Sequence, residues 1–105
     1  MSDDAPQAGT SVPAGAISKE LLIINKRGLH ARASAKFVQA VERFNAQVWV
    51  TRGCETVGGT SIMGLMMLAA GPGTSITVAA AGEDAEAALA AITELVESKF
   101  NEEGT

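Results

Sequence analysis

The sequence predicts an α+β open-faced sandwich: one four-stranded antiparallel sheet carrying three helices on a single face, in the order β-α-β-β-α-β-α. Three observations predict it. Short apolar or alternating runs are cut off by glycine-containing turns, as strands are, while longer segments repeat their apolar residues every three to four positions, as helices do. The two kinds interleave along the chain, and 105 residues with 47% hydrophobic content suffice for one domain with one modest core.

Each element has its own justification. Residues 1 to 16 read as a flexible N-terminal tail, because Asp3, Asp4, Pro6, Gly9, Pro13 and Gly15 supply polarity and turns without periodicity; the domain is taken as 17 to 105. The first strand is expected over 17 to 25, where Leu21, Leu22, Ile23 and Ile24 make both faces apolar, and Lys26-Arg27-Gly28 ends it. Residues 31 to 44 make the first helix, with Ala31, Ala35, Val38 and Val41 at helical spacing and Phe37 and Phe44 widening the stripe. Lys36 and Arg43 are left for solvent, and His30 stands as the cap.

Residues 46 to 51 alternate, with Ala46, Val48 and Val50 on one side and Gln47, Trp49 and Thr51 on the other. Arg52-Gly53-Cys54 turns this strand into a return strand over 55 to 58, which makes a hairpin. Gly58-Gly59-Thr60-Ser61 then starts a short second helix containing Ile62, Met63, Leu65, Met66, Met67 and Leu68. Gly71-Pro72-Gly73 closes it, and 74 to 80 form the last strand with Ile76, Val78 and Ala80 inward. Glu83, Asp84 and Glu86 suit the positive end of a third helix, along which Ala88, Leu89, Ile92, Leu95 and Val96 repeat. Burial of Ile92, Leu95 and Val96 is worth about 1.5 to 3 kcal/mol each before entropy.

Composition excludes several functions. The formal charge is -4, yet between residues 17 and 51 six cations (Lys19, Lys26, Arg27, Arg32, Lys36 and Arg43) face only Glu20 and Glu42. That basic half surrounds the only histidine and would draw an acidic or phosphate-bearing partner. An acidic balance with 4% aromatic residues argues against nucleic-acid binding. No window approaches the roughly 18 to 20 apolar residues of a membrane span, and no signal peptide is evident, so no membrane insertion and a cytoplasmic location are expected. The single cysteine, Cys54, can form neither an internal disulfide nor a cysteine-based metal site, and neither a metal nor a cofactor is expected.

The chemistry centres on His30, in the run Gly28-Leu29-His30-Ala31-Arg32-Ala33-Ser34-Ala35, where a strand ends and a helix begins. A helix start presents backbone N-H groups without intrahelical partners, here those of Ala31, Arg32 and Ala33, and carries about half a unit of positive charge. Arg32 adds a guanidinium fork suited to phosphate oxygens. A neutral imidazole nitrogen is a competent nucleophile toward phosphorus, and these donors would hold the transferred group. Gly28 lets the chain turn tightly just before. The plainer readings are a structural or exposed histidine, a solvated helix-face arginine and an ordinary turn glycine.

That motif closely resembles the active-site signature of the HPr family, the histidine-containing phosphocarriers of the bacterial phosphoenolpyruvate-dependent phosphotransferase system. A second family hallmark, Thr60-Ser61-Ile62-Met63-Gly64-Leu65-Met66, lies downstream at the expected separation, and the likeness runs from residue 17 to residue 100. One position departs: most relatives have proline where this chain has Ala33, which loosens the first helical turn and returns an N-H donor. The resemblance implies the same fold and a stoichiometric carrier rather than an enzyme. His30 would take a phosphoryl group, by family likeness on Nδ1, from phosphorylated enzyme I and pass it to an enzyme IIA-type acceptor, with the protein acting as a monomer.

Ser61 precedes the second helix, where N-capping is its structural role; by resemblance it is also a regulatory phosphorylation site for an HPr serine kinase/phosphorylase. The second helix is so apolar that Ile62, Met63, Met66 and Met67 are expected to form, with Arg27, a partner-docking patch; its plainer reading is a buried short helix. Three alternatives come from other classes: a nitrogen-branch regulator using the same phosphocarrier chemistry, a small phosphate-hydrolysing enzyme, and a passive interaction domain in which His30 is incidental.

Overall fold

The computed structural model describes residues 12 to 102. Of the tail read from 1 to 16, residues 1 to 11 therefore lie outside the described residues. Just before the first strand, the Ala16 N-H closes a turn on the Pro13 carbonyl at 3.1 Å.

The element order is β1 (Ile17–Leu22), α1 (Ala31–Glu42), β2 (Gln47–Arg52), β3 (Glu55–Gly58), α2 (Ile62–Met67), β4 (Ser75–Ala81) and α3 (Ala85–Glu97). A three-residue turn, Lys99–Asn101, follows α3. The strands form one antiparallel sheet in the order β1-β4-β2-β3. Strands β1 and β2 both run antiparallel to β4 and so run parallel to each other, with β4 inserted between them and α1 as the crossover. The open-faced α+β sandwich is therefore the architecture, as expected.

Alternation sets the two faces of the sheet. Leu21, Val48, Val50, Ile76, Val78 and Ala80 are buried against a cluster that includes Phe37 and Val41 of α1, Leu65 of α2, and Ala88, Ile92 and Val96 of α3. On the other face Trp49 is half-buried, and its register partner Ala79 is 4% exposed. Thr51, half-buried, and Thr77, exposed, continue that face.

Several boundaries differ from the sequence reading, each for a physical reason. Strand β1 stops at Leu22 rather than running to residue 25, because the chain bends to bury Ile23 and Asn25. Ile23 still exchanges backbone bonds with Thr74 and Gly73 at 2.8 Å. Leu22 and Ile24 are exposed, so this run is apolar on both faces without being buried on both. Helix α1 ends at Glu42, and its buried stripe is Ala33, Ser34, Phe37, Val38, Ala40 and Val41; Ala31 is exposed. Lys36 is half-buried rather than solvent-facing, since its ammonium donates to the Phe100 carbonyl at 2.5 Å. Leu95 is only half-buried and leaves the α3 core to Ala88, Ile92 and Val96.

The acidic start of α3 is only partly a dipole effect. Asp84 is the N-cap but makes no side-chain cap bond. Its carboxylate instead accepts the Asn45 N-H at 2.8 Å, and the Asn45 side-chain amide donates to Glu83 at 2.9 Å. Glu86 alone occupies the first helical turn.

After α3 the backbone does something unusual for side-chain-bearing residues: Lys99, Phe100 and Asn101 all take φ between 56° and 59°. Each left-handed residue with a Cβ costs about 1 to 2 kcal/mol. Complete burial of Phe100 offsets roughly 1.5 to 3 kcal/mol of that, and the Lys36 bond to its carbonyl adds to it. This turn sends the chain back toward the start of α1.

Candidate functional site

The loop from β1 to α1 is built so that His30 has little freedom. The Gly28 N-H closes a turn on the Asn25 carbonyl at 3.2 Å, and the His30 N-H returns to the Gly28 carbonyl at 2.9 Å. The Leu29 N-H donates to the Ala70 carbonyl at 2.9 Å, and its side chain is 5% exposed, which staples the loop to the segment after α2. Gly28 has φ +65°, and a Cβ there would stand 2.3 Å from the Ala70 carbonyl oxygen. We therefore expect Gly28→Ala to destabilise the fold by at least about 2 kcal/mol, from the left-handed strain and the backbone clash together. Urea unfolding measures this; a variant within experimental error of the parent would contradict it.

His30 is the N-cap of α1 by backbone position, and its carbonyl accepts the first intrahelical bond, from the Ser34 N-H at 2.9 Å. Its side chain, however, makes no cap bond. The imidazole Nε2 lies 2.5 Å from a Glu102 carboxylate oxygen, and the His30 side chain is 16% exposed. The predicted capping role is thus confined to the backbone. Ahead of the Ser34 bond come the N-H groups of Ala31, Arg32 and Ala33, which have no place in the intrahelical ladder. Ala31 and Arg32 are exposed, whereas the methyl of Ala33 is fully buried.

Glu102 is the residue that sequence reasoning missed. It reaches His30 only because the left-handed turn after α3 brings it there, and it also accepts from the Asn25 amide at 3.3 and 3.4 Å. Burial pushes the Glu102 carboxyl up; the hydrogen bonds from His30 and Asn25 and the nearby His30 and Lys36 outweigh this and hold it below its ordinary value. The stability this adds is present above the ordinary glutamate range and is lost as pH falls through the lowered folded value. Glu102→Gln should be less stable than the parent by about 1 kcal/mol at neutral pH, and the two should converge in acid. Denaturant unfolding across pH checks this, and a gap independent of pH would contradict it.

The second helix carries the other predicted residues. Ser61 is its N-cap, and the hydroxyl accepts the Gly64 N-H at 2.9 Å, so the structural reading of Ser61 holds while the residue stays exposed. Ile62, Met63, Met66 and Met67 are 40, 69, 40 and 69% exposed, whereas Leu65 is fully buried. The plainer reading, a buried short helix, is therefore excluded. Arg27 is exposed in the loop before His30. Among the described residues no group of three or more histidine, cysteine or acidic residues could hold a metal, and no helix is long and apolar enough to cross a membrane.

The model of the PTS HPr component phosphorylation site matches residues 17 to 98. Phosphocarrier protein HPr of Neisseria meningitidis is 49% identical over 86 residues, which cover 82% of this chain and 97% of that protein. Phosphocarrier protein NPr of Shewanella violacea is 41% identical over 86 residues, covering 82% of this chain and 94% of that protein. Among solved structures, an HPr of Thermoanaerobacter tengcongensis superposes with a TM-score of 0.79 at 42% identity, covering 83% of this chain and 98% of its own. The chain belongs to the HPr family of the phosphotransferase system. Phe100 and Glu102 lie beyond the segment that the family model matches.

Proposed function

We propose that this protein is a stoichiometric, cytoplasmic phosphoryl carrier in which His30 takes one phosphoryl group from phosphorylated enzyme I and yields it to an enzyme IIA-type acceptor. The observation that carries this reading is the engaged imidazole at the start of α1. An ionised carboxylate only accepts hydrogen bonds, so Glu102 holds the proton on Nε2 and leaves the ring lone pair on Nδ1. Nδ1 attacks the phosphorus of the donor phosphohistidine, a new N-P bond forms as the donor's N-P bond breaks, and the donor imidazole keeps the electron pair. As Nδ1 gains phosphorus the ring becomes cationic, and the Glu102 carboxylate stabilises that charge. The Arg32 guanidinium and the open amides of Ala31 and Arg32 receive the phosphoryl oxygens.

Docking falls to Ile62, Met63, Met66 and Met67, whose unbranched thioethers adapt to two different partners in turn, with Arg27 alongside. An HPr serine kinase/phosphorylase acting on Ser61 would set the accessibility of this patch. A second reading, regulation in a nitrogen-related branch of the system with no sugar moved, has the support of the relative named NPr. Partners captured by the phosphorylated and unphosphorylated chain separate the two readings.

Intact-mass measurement after incubation with enzyme I and phosphoenolpyruvate tests the proposal. One phosphoryl group per chain, lost on acidification, is expected, and steady release of inorganic phosphate by the isolated chain would instead indicate a hydrolase. Arg32→Ala should slow loading by roughly 10- to 100-fold, the worth of one charge-assisted hydrogen bond in the transition state. Loading at the parental rate would remove Arg32 from the site.

A further inference from the structure

We infer that Asn25 is a positioning residue, which orients the Glu102 carboxylate on the Nε2 face of His30. The inference rests on the reading of His30 as phosphoacceptor, and it assigns a role to a buried side chain that the transfer chemistry does not otherwise use.

Asn25 is fully buried where β1 gives way to the loop. Its amide nitrogen donates to the Gly28 carbonyl at 2.9 Å and, as a fork, to both Glu102 oxygens at 3.3 and 3.4 Å. All these partners are acceptors, so the amide orientation is fixed: turned over, its carbonyl oxygen would face a carbonyl and a carboxylate. That oxygen, Oδ1, is buried without a hydrogen-bond partner. A side chain present only to fill space would be better apolar here, because an unpaired buried oxygen is a standing penalty. What the polarity achieves is the pair of donations, which tie the carbonyl two residues before His30 to the carboxylate that meets its ring.

Among the described residues, the anchors of the turn after α3 deliver the backbone without aiming the carboxylate. Phe100 is anchored by its buried ring, and Lys36 holds its carbonyl at 2.5 Å. Among the described residues, the groups acting on the Glu102 carboxylate are His30, Asn25 and, through its charge, Lys36. With Asn25 removed, the imidazole is the one hydrogen-bonding partner left to orient the Glu102 carboxylate among the described residues, and the Nε2 proton loses a fixed acceptor.

The test uses the full chain and two readouts: the Glu102 carboxyl carbon followed by NMR against pH, and the single-turnover rate of loading from phosphorylated enzyme I. In Asn25→Ala the Glu102 midpoint should move up and loading should fall roughly tenfold, the scale on which a loosened reacting group loses rate. In a Glu102→Ala background, Asn25→Ala should cost nothing further. An unmoved midpoint, or an equal loss of rate in both backgrounds, overturns the inference and leaves Asn25 a loop residue. If Asn25→Ala does not fold, the parent chain carries the test: the Asn25 side-chain amide protons should shift as Glu102 titrates, and protons blind to that titration overturn the inference. A parent chain that takes no label on His30 would overturn the phosphoacceptor reading itself, whatever the NMR titration shows.

Discussion

Replacing His30 with alanine should abolish the acid-labile phosphoryl group that, on the function proposed above, the parent chain takes from phosphorylated enzyme I. No other histidine exists in the sequence to substitute for it. The fold should survive, because the imidazole makes no cap bond and the helix is started by the His30 backbone, which alanine retains. Among the described residues, the side-chain hydrogen bond that the variant loses is the one to Glu102. Circular dichroism matching the parent, together with label falling below detection, is the expected pair of results. Full labelling of a folded His30→Ala chain would move the chemistry to another residue and end the present reading of the site.

Ser61→Asp should weaken docking of the phosphorylated donor by about tenfold or more while leaving the transfer step itself intact once the donor is saturating. The substitution preserves the cap, since aspartate serves as well as serine and Ser61 already accepts the Gly64 N-H. Its charge, however, lies at the edge of a patch whose Met63 and Met67 are each 69% exposed. A partner that covers those thioethers must also strip water from the new carboxylate, a penalty of roughly 1 to 3 kcal/mol. Single-turnover loading against donor concentration separates the two effects. Binding as tight as the parent's with a slow maximal rate would mean that the charge acts on the imidazole and not on docking. Met67→Glu should reproduce the docking defect without touching the cap.

The sandwich was legible because its signals are local. Alternation at Val48 and Val50, the glycine turns after residues 52 and 70, and the apolar repeat through Ala88, Ile92 and Val96 each need only a short window of sequence. The position of His30 at a helix start was legible for the same reason, as was the exposure of Met63 and Met67: a six-residue helix that is apolar on every side cannot bury them all. Glu102 was not legible. Its meeting with His30 spans 72 positions and depends on three successive left-handed residues with no glycine among them, a conformation that propensity argues against. The available hint was Phe100, a lone aromatic in a polar stretch, which has to be buried somewhere. Asn25 was hidden by its surroundings, since an asparagine before Lys26-Arg27-Gly28 reads as a turn residue and only its burial reveals another use. Helix periodicity places Lys36 in solvent because it cannot anticipate a carbonyl arriving from beyond α3.

Phosphorus NMR of the chain incubated with enzyme I and phosphoenolpyruvate reads the acceptor atom and the bond chemistry in one spectrum. One phosphohistidine resonance of the Nδ1-linked type is expected, persistent in alkali and lost on acidification. An acid-stable phosphoester resonance, or a phosphoryl group on the nitrogen that Glu102 holds, would contradict it.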